Sequence, residues 1–275
     1  MTMQSTHSEQ LNHQGNDFFS RGHYTEAYVC YVKALDYDRI TGDRRALAAT
    51  LGNLGNICAV SGRRDQAQAY YQEVLELQKI LGDTRGIGTT LANLGNLRAD
   101  AGEWDRASAY YLEALDIMRQ SRDEQGLAVL FSDLGLVARE AGRYDEAMSF
   151  YEQSLALMRR LGNEGGIADA WRMMARTYLV QQRYEEAMAC CQTSQAVAER
   201  GGDELRAGGA RYVMAQCCEE TGRLDEAVEL LTLVVQMDRK YRLPKLEENT
   251  KRLEQLRARL ADSGFSRALP GERRT

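Results

Sequence analysis

The chain has 275 residues, with 35 Lys and Arg against 40 Asp and Glu and a formal net charge of -5, which excludes the basic surplus expected of a nucleic-acid binder. Only 2 residues are proline, Pro244 and Pro270, so long uninterrupted helices are open to everything before them, because an internal proline removes a backbone donor and breaks a turn. No apolar run approaches the roughly 20 residues of a bilayer crossing, the polar start MTMQSTHSEQ lacks the apolar stretch of a secretory signal, and the 6 cysteines sit inside helical patterns, which together imply a reducing, cytoplasmic setting without membrane insertion.

Taken in chain order, the elements recur with a period of 40 residues over six copies. Residues 1–7 are expected to be disordered and the repeat array to run over 8–242. The first helix, roughly Ser8 to Ser20, is polar apart from Leu11, Phe18 and Phe19, as suits an exposed terminal helix. A turn glycine follows at Gly22 and recurs at Gly62, Gly102, Gly142 and Gly222, with Gln182 as the exception. The second copy shows the plan. Asp43 is an N-cap whose carboxylate accepts first-turn N–H groups. Leu47, Leu51, Leu54, Gly55 and Cys58 follow at helical spacing. Gly62 ends that helix in the left-handed conformation glycine tolerates, and Asp65 opens the next, whose apolar side holds Ala67, Tyr70, Tyr71, Val74, Leu75 and Leu77. Gly82 closes the copy and Asp83 caps its successor.

Each copy is thus a pair of helices. Small residues recur at Gly15, Gly55, Gly95, Gly135, Ala175 and Ala215, and an apolar ring or its stand-in recurs at Tyr31, Tyr71, Tyr111, Tyr151, Cys191 and Leu231. Small residues imply close helix crossings, and a leucine at Gly55 or Ala67 would overpack one by about 1–3 kcal/mol. After the array, Pro244 is a good first helical position. Residues 243–262 read as a charged helix with Leu246, Leu253, Leu256 and Leu260 on one stripe, suited to sealing the last copy. Residues 263–275 are expected to be a disordered tail.

This pattern resembles the tetratricopeptide family. A large apolar residue, Leu-Gly, an aromatic, then Ala, aromatic and Ala are represented by Trp171, Leu134-Gly135, Tyr178, Ala147, Tyr151 and Ala114. The period of 40 departs from the family's usual length of about 34, and the proline near the end of each repeat is missing. Both departures resemble the long-repeat branch of Pins-type adaptors, whose Leu-Gly-Asn triplet appears at Leu51-Gly52-Asn53, Leu54-Gly55-Asn56 and Leu94-Gly95-Asn96. They are also similar to kinesin light chains and bacterial peptide-sensing regulators. The resemblance implies an all-α, right-handed superhelix (an α-solenoid) of six helical hairpins plus a C-terminal capping helix. It implies a protein-binding adaptor rather than an enzyme.

The residues agree with that expectation. The histidines, His7, His13 and His23, cluster near the start, and no nucleophile-elbow, phosphate-loop or zinc-protease string is present. No catalytic, cofactor or metal residues are assigned. Cys190-Cys191 and Cys217-Cys218 lie on successive helices, so a Cys191–Cys218 contact is conceivable as a site or as plain core packing. On a helical wheel, Leu47, Leu54, Gly55 and Cys58 fall within about 40–60° of Leu51, whereas Asn53 and Asn56 fall roughly 140–200° away. Asn16, Asn93 and Asn96 share those offsets. The resemblance places this face on the concave surface, where an asparagine ladder would hold the main chain of an extended partner segment; the alternative is solvated asparagine. In later copies Val129, Leu136, Met173, Val180 and Val213 take these offsets, with Arg139, Arg172 and Arg176 beside them and Asp100, Asp133, Glu140 and Asp169 on the same face. Such apolar residues imply an interaction site or packing against the last helix or a second copy. The expected function is an adaptor holding a protein or peptide segment of unknown identity. The alternatives are a self-assembling scaffold and, third, a ligand-sensing regulator.

Overall fold

The computed structural model describes residues 3–267 and forms two compact units, residues 1–142 and 143–275. The first unit holds α1 (Met3–Ser20), α2 (Tyr24–Thr41), α3 (Arg44–Val60), α4 (Arg64–Leu81), α5 (Thr84–Ala99), α6 (Trp104–Gln120) and α7 (Glu124–Glu140). The second holds α8 (Tyr144–Arg160), α9 (Glu164–Val180), α10 (Tyr184–Arg200), α11 (Glu204–Glu220), α12 (Leu224–Tyr241) and α13 (Leu246–Arg267). No strand occurs among the described residues. Both end helices are longer than the sequence indicates. Helix α1 begins at Met3 and α13 continues to Arg267, so helix enters both segments expected to be disordered. Nothing between Met3 and His7 breaks a helix, and Gly264 alone costs only about 1 kcal/mol. Residues 268–275, the rest of the expected tail, lie outside the described residues.

Turns come at intervals of twenty residues, and each contains one residue in the left-handed region. Within repeats these are Gly22 (φ +77°), Gly62 (+72°), Gly102 (+74°), Gly142 (+77°), Gln182 (+60°) and Gly222 (+75°). Between repeats they are Gly42 (+68°), Gly82 (+67°), Arg122 (+55°), Gly162 (+65°), Gly202 (+68°) and Arg242 (+53°). The helices that begin repeats two to six are capped by an Asp or Asn side chain: Asp43, Asp83, Asp123, Asn163 and Asp203 each accept from an amide of the first turn. Their partner helices lack a side-chain cap and place acids in the first turn instead, such as Asp65, Asp105 and Asp225, which complement the helix dipole.

Packing in the first unit follows from one pairing. Tyr31, Tyr71 and Tyr111 are buried rings lying across Gly15, Gly55 and Gly95. A Cβ at Gly15 or Gly55 would stand 2.5 Å from the ring's Cε1, so only glycine admits the tyrosine. Between the first two hairpins runs a polar chain: Asn53 Nδ2 donates to Asn12 Oδ1 (3.1 Å), Asn12 Nδ2 to Thr50 Oγ1 (2.7 Å) and Thr50 Oγ1 to the buried Asp38 (2.6 Å).

In repeats five and six the ring position is Cys191 or Leu231, both buried, and the matching small residue is Ala175 or Ala215. A smaller side chain leaves room for one methyl group. Helix α13 lays Leu246, Leu253 and Leu256 on a core containing Ala215, Cys218, Leu231 and Val235, each buried leucine contributing about 1.5–3 kcal/mol. Its Arg252 donates to Glu219 (2.6 Å) and to the Tyr212 hydroxyl (3.0 Å). The terminal stripe therefore does seal the last hairpin.

Candidate partner-binding clefts

One cleft of about 450 Å³ lies in the first unit, and its walls come from the first helices of the repeats. Asn56, Asn93 and Asn96 line it with Asp100, Asp133 and Leu136, and Tyr71 and Tyr111 form its back. The asparagines do not hang free. The Tyr71 hydroxyl donates to Asn56 Oδ1 (2.7 Å), and Tyr111 makes the same bond to Asn96. Tyr31 does so to Asn16 (2.7 Å). Each tyrosine thus occupies the amide oxygen and leaves the amide's two N–H donors on the exposed side. Burial pushes the Tyr31 phenol up to about 12 and those of Tyr71 and Tyr111 higher, so all three stay protonated donors. Asp133 is half-buried at the register position that holds Asn53 and Asn93, and burial lifts its carboxyl to about 7.

A second cleft, also of about 450 Å³, lies in the other unit among α9, α11, α12 and the start of α13. Leu205, Val213, Val234, Met237 and Leu243 give it an apolar floor, and Arg172, Arg176 and Lys245 stand on its walls. Arg172 Nη2 reaches Asp169 Oδ1 at 3.1 Å, and Asp169 also receives Arg206 Nε at 2.9 Å, which bridges repeats five and six. Beneath, Asn249 Nδ2 donates to Asp238 at 2.7 Å, both side chains buried. This cleft can take apolar groups beside an anionic one.

The remaining residues fall differently. Val129 and Val180 are half exposed, while Leu136 and Met173 are half-buried. Asn53 is tied to Asn12. Arg139 is 7% exposed and its Nη2 lies 2.6 Å from Glu140; it stands at the register of Ala59 and Ala99, which line the first cleft. Val213 is likewise buried, at the floor of the second cleft. Cys190, Cys191, Cys217 and Cys218 are all buried free thiols, and burial pushes those of Cys190 and Cys217 to about 11, which keeps them protonated core groups. Among the described residues no group of three or more His, Cys, Asp and Glu is arranged to hold a metal, and no helix is long and apolar enough to cross a membrane. The tyrosine latches escaped the sequence reading. Their signal is the Asn–Tyr separation of 15, repeated at 16/31, 56/71 and 96/111. The contributions of Lys245 and Asn249 carry no periodic signal, since both lie after the last repeat.

The family model for the tetratricopeptide repeat matches residues 8–80, 86–160 and 166–240. No curated protein sequence matches the chain. Among solved structures, a signal-transduction ATPase with a tetratricopeptide sensor from Pyrococcus horikoshii superimposes with a TM-score of 0.73 at 15% identity, covering 90% of this chain and 38% of that one. This chain therefore spans well under half of that protein. A Rap protein complexed with competence and sporulation factor gives 0.66 at 16% identity, covering 92% and 75%. A kinesin light chain from Podosopora anserina gives 0.61 at 14%, covering 74% and 99%. At these identities the likeness shows the fold, an all-α array of helical hairpins.

Proposed function

Because the chain belongs to the tetratricopeptide repeat family, we propose that it is a protein-interaction scaffold that holds a segment of a partner protein in the clefts of its two units. The observation that carries this reading is the orientation of the asparagines. Tyr71 and Tyr111 fix Asn56 and Asn96 by their oxygens, which leaves N–H donors available to the carbonyls of an extended main chain. Donors fixed before binding lose little rotamer freedom when a partner arrives. In the second unit Arg172 and Arg176 beside an apolar floor suit a partner side chain or terminus carrying a carboxylate. The Rap structure, solved in complex with a competence and sporulation factor, supports a bound partner by analogy.

Site-specific cross-linking tests this. Photoreactive residues at positions 93 and 176 should capture a common partner from native extract, and the same residue at the exposed Glu73 or Glu152 should not. Equal capture from the control positions would overturn the cleft assignment. Asn56 and Asn96 are unsuitable as probes, since their loss also releases a tyrosine.

A further inference from the structure

We propose that the first unit's cleft selects its partner by a basic side chain, a lysine or arginine set against Asp133 with Asp100 at the rim; this rests on the scaffold reading above. Repeat four replaces the amide of Asn53 and Asn93 with a carboxylate at the same register, in a cleft whose other polar side chains are three asparagines, two tyrosines and Asp100. Asp133 has no hydrogen bond or ion pair among the described residues. The groups around it cannot serve. The Tyr111 hydroxyl is committed to Asn96. Arg85, in the adjoining hollow that Asp133 also lines, is bound to Asp123 at 3.0 Å. Arg64 reaches only the backbone oxygen of Asp100, at 2.7 Å, which leaves the Asp100 carboxylate to solvent.

A half-buried carboxylate without a cation carries a desolvation cost that nothing in this wall returns. Its carboxyl is raised to about 7 by that burial. A cationic side chain entering the cleft would restore the lost interaction. The apolar wall beside it, Leu136 with Val60, suits the methylene stem of lysine or arginine. The two clefts then differ in sign: two carboxylates and no cation line this one, whereas Arg172, Arg176 and Lys245 line the other.

The test uses the full chain and a displayed library of short random peptides. Selection is run on the parent, on Asp133→Asn and on Glu152→Gln, and occupancy is read by a photoreactive residue at position 93. Asparagine is close in shape to aspartate and already stands at two equivalent positions, so Asp133→Asn should fold. Peptides that cross-link at 93 should carry lysine or arginine. Replacing that residue with neutral citrulline or norleucine, or introducing Asp133→Asn, should weaken binding about tenfold or more, the scale of one charge-assisted hydrogen bond. The two changes together should weaken it no further than either alone, and Glu152→Gln, an exposed position outside both clefts, should leave it unchanged. Peptides that cross-link at 93 without basic enrichment, or bind Asp133→Asn as tightly as the parent, overturn the charge selection and leave the scaffold reading standing. If no selected peptide cross-links at 93, both fall.

Discussion

A methyl group at Gly55 would sit 2.5 Å from Cε1 of Tyr71, inside any tolerable carbon–carbon contact. Gly55→Ala should therefore destabilise the fold by about 1–3 kcal/mol, read as a lower urea midpoint. Adding Tyr71→Leu should recover part of that loss, since Ala215 already accompanies Leu231 in repeat six. A double variant no better than the single one would contradict the pairing. Asp133 makes a separate prediction through pH. Its carboxyl titrates near 7 in the fold and near 4 in the unfolded chain. Between those values the folded state binds the extra proton, so this group's contribution to stability falls as pH rises. Asp133→Asn should flatten that slope and be the more stable protein at about pH 8, by roughly 1–2 kcal/mol. Urea midpoints for both proteins at about pH 5 and pH 8 check the sign.

Helix ends decide the next level. Arg122 holds φ +55° where most other turns have glycine. A residue with a Cβ loses roughly 1 kcal/mol in that region, partly balanced by the greater entropy of unfolded glycine. Arg122→Gly should raise stability by about 0.5 kcal/mol, seen as a higher Tm, and a fall would show that the arginine side chain compensates. The opposite change is expected at the caps. Asp83 accepts from the Gly86 amide at 2.9 Å, and Asp83→Ala should cost about 1 kcal/mol. The second helices of the repeats have no side-chain cap to lose, so alanine at Arg63 should cost much less.

For the whole molecule, the end helix separates the scaffold from the self-assembly alternative. Leu253 and Leu256 of α13 cover a core that includes Cys218, Leu231 and Val235. Ending the chain after Tyr241 would bare that face, and sedimentation should then show association that grows with concentration, because an uncovered repeat face seeks another. The intact chain should keep one mass across the same range. If it also associates, the covered face is not what limits assembly, and self-assembly gains ground.

The sequence by itself determined the repeat, the helix pairs, the capping aspartates and asparagine, the glycine turns and the sealing leucine stripe. These depend on interactions within about four residues or on a strict period, and both are visible in one dimension. It placed Asn56, Asn93, Asn96 and Leu136 on one face, and the structure gathers them into one cleft. Tertiary structure alone decided that tyrosines on the neighbouring helix spend the asparagine oxygens, that Arg139 and Val213 are buried, and that Asp133 is left without a cation. Each depends on which side chain of another helix lies opposite, and a wheel drawn for one helix carries no information about the atoms of the next.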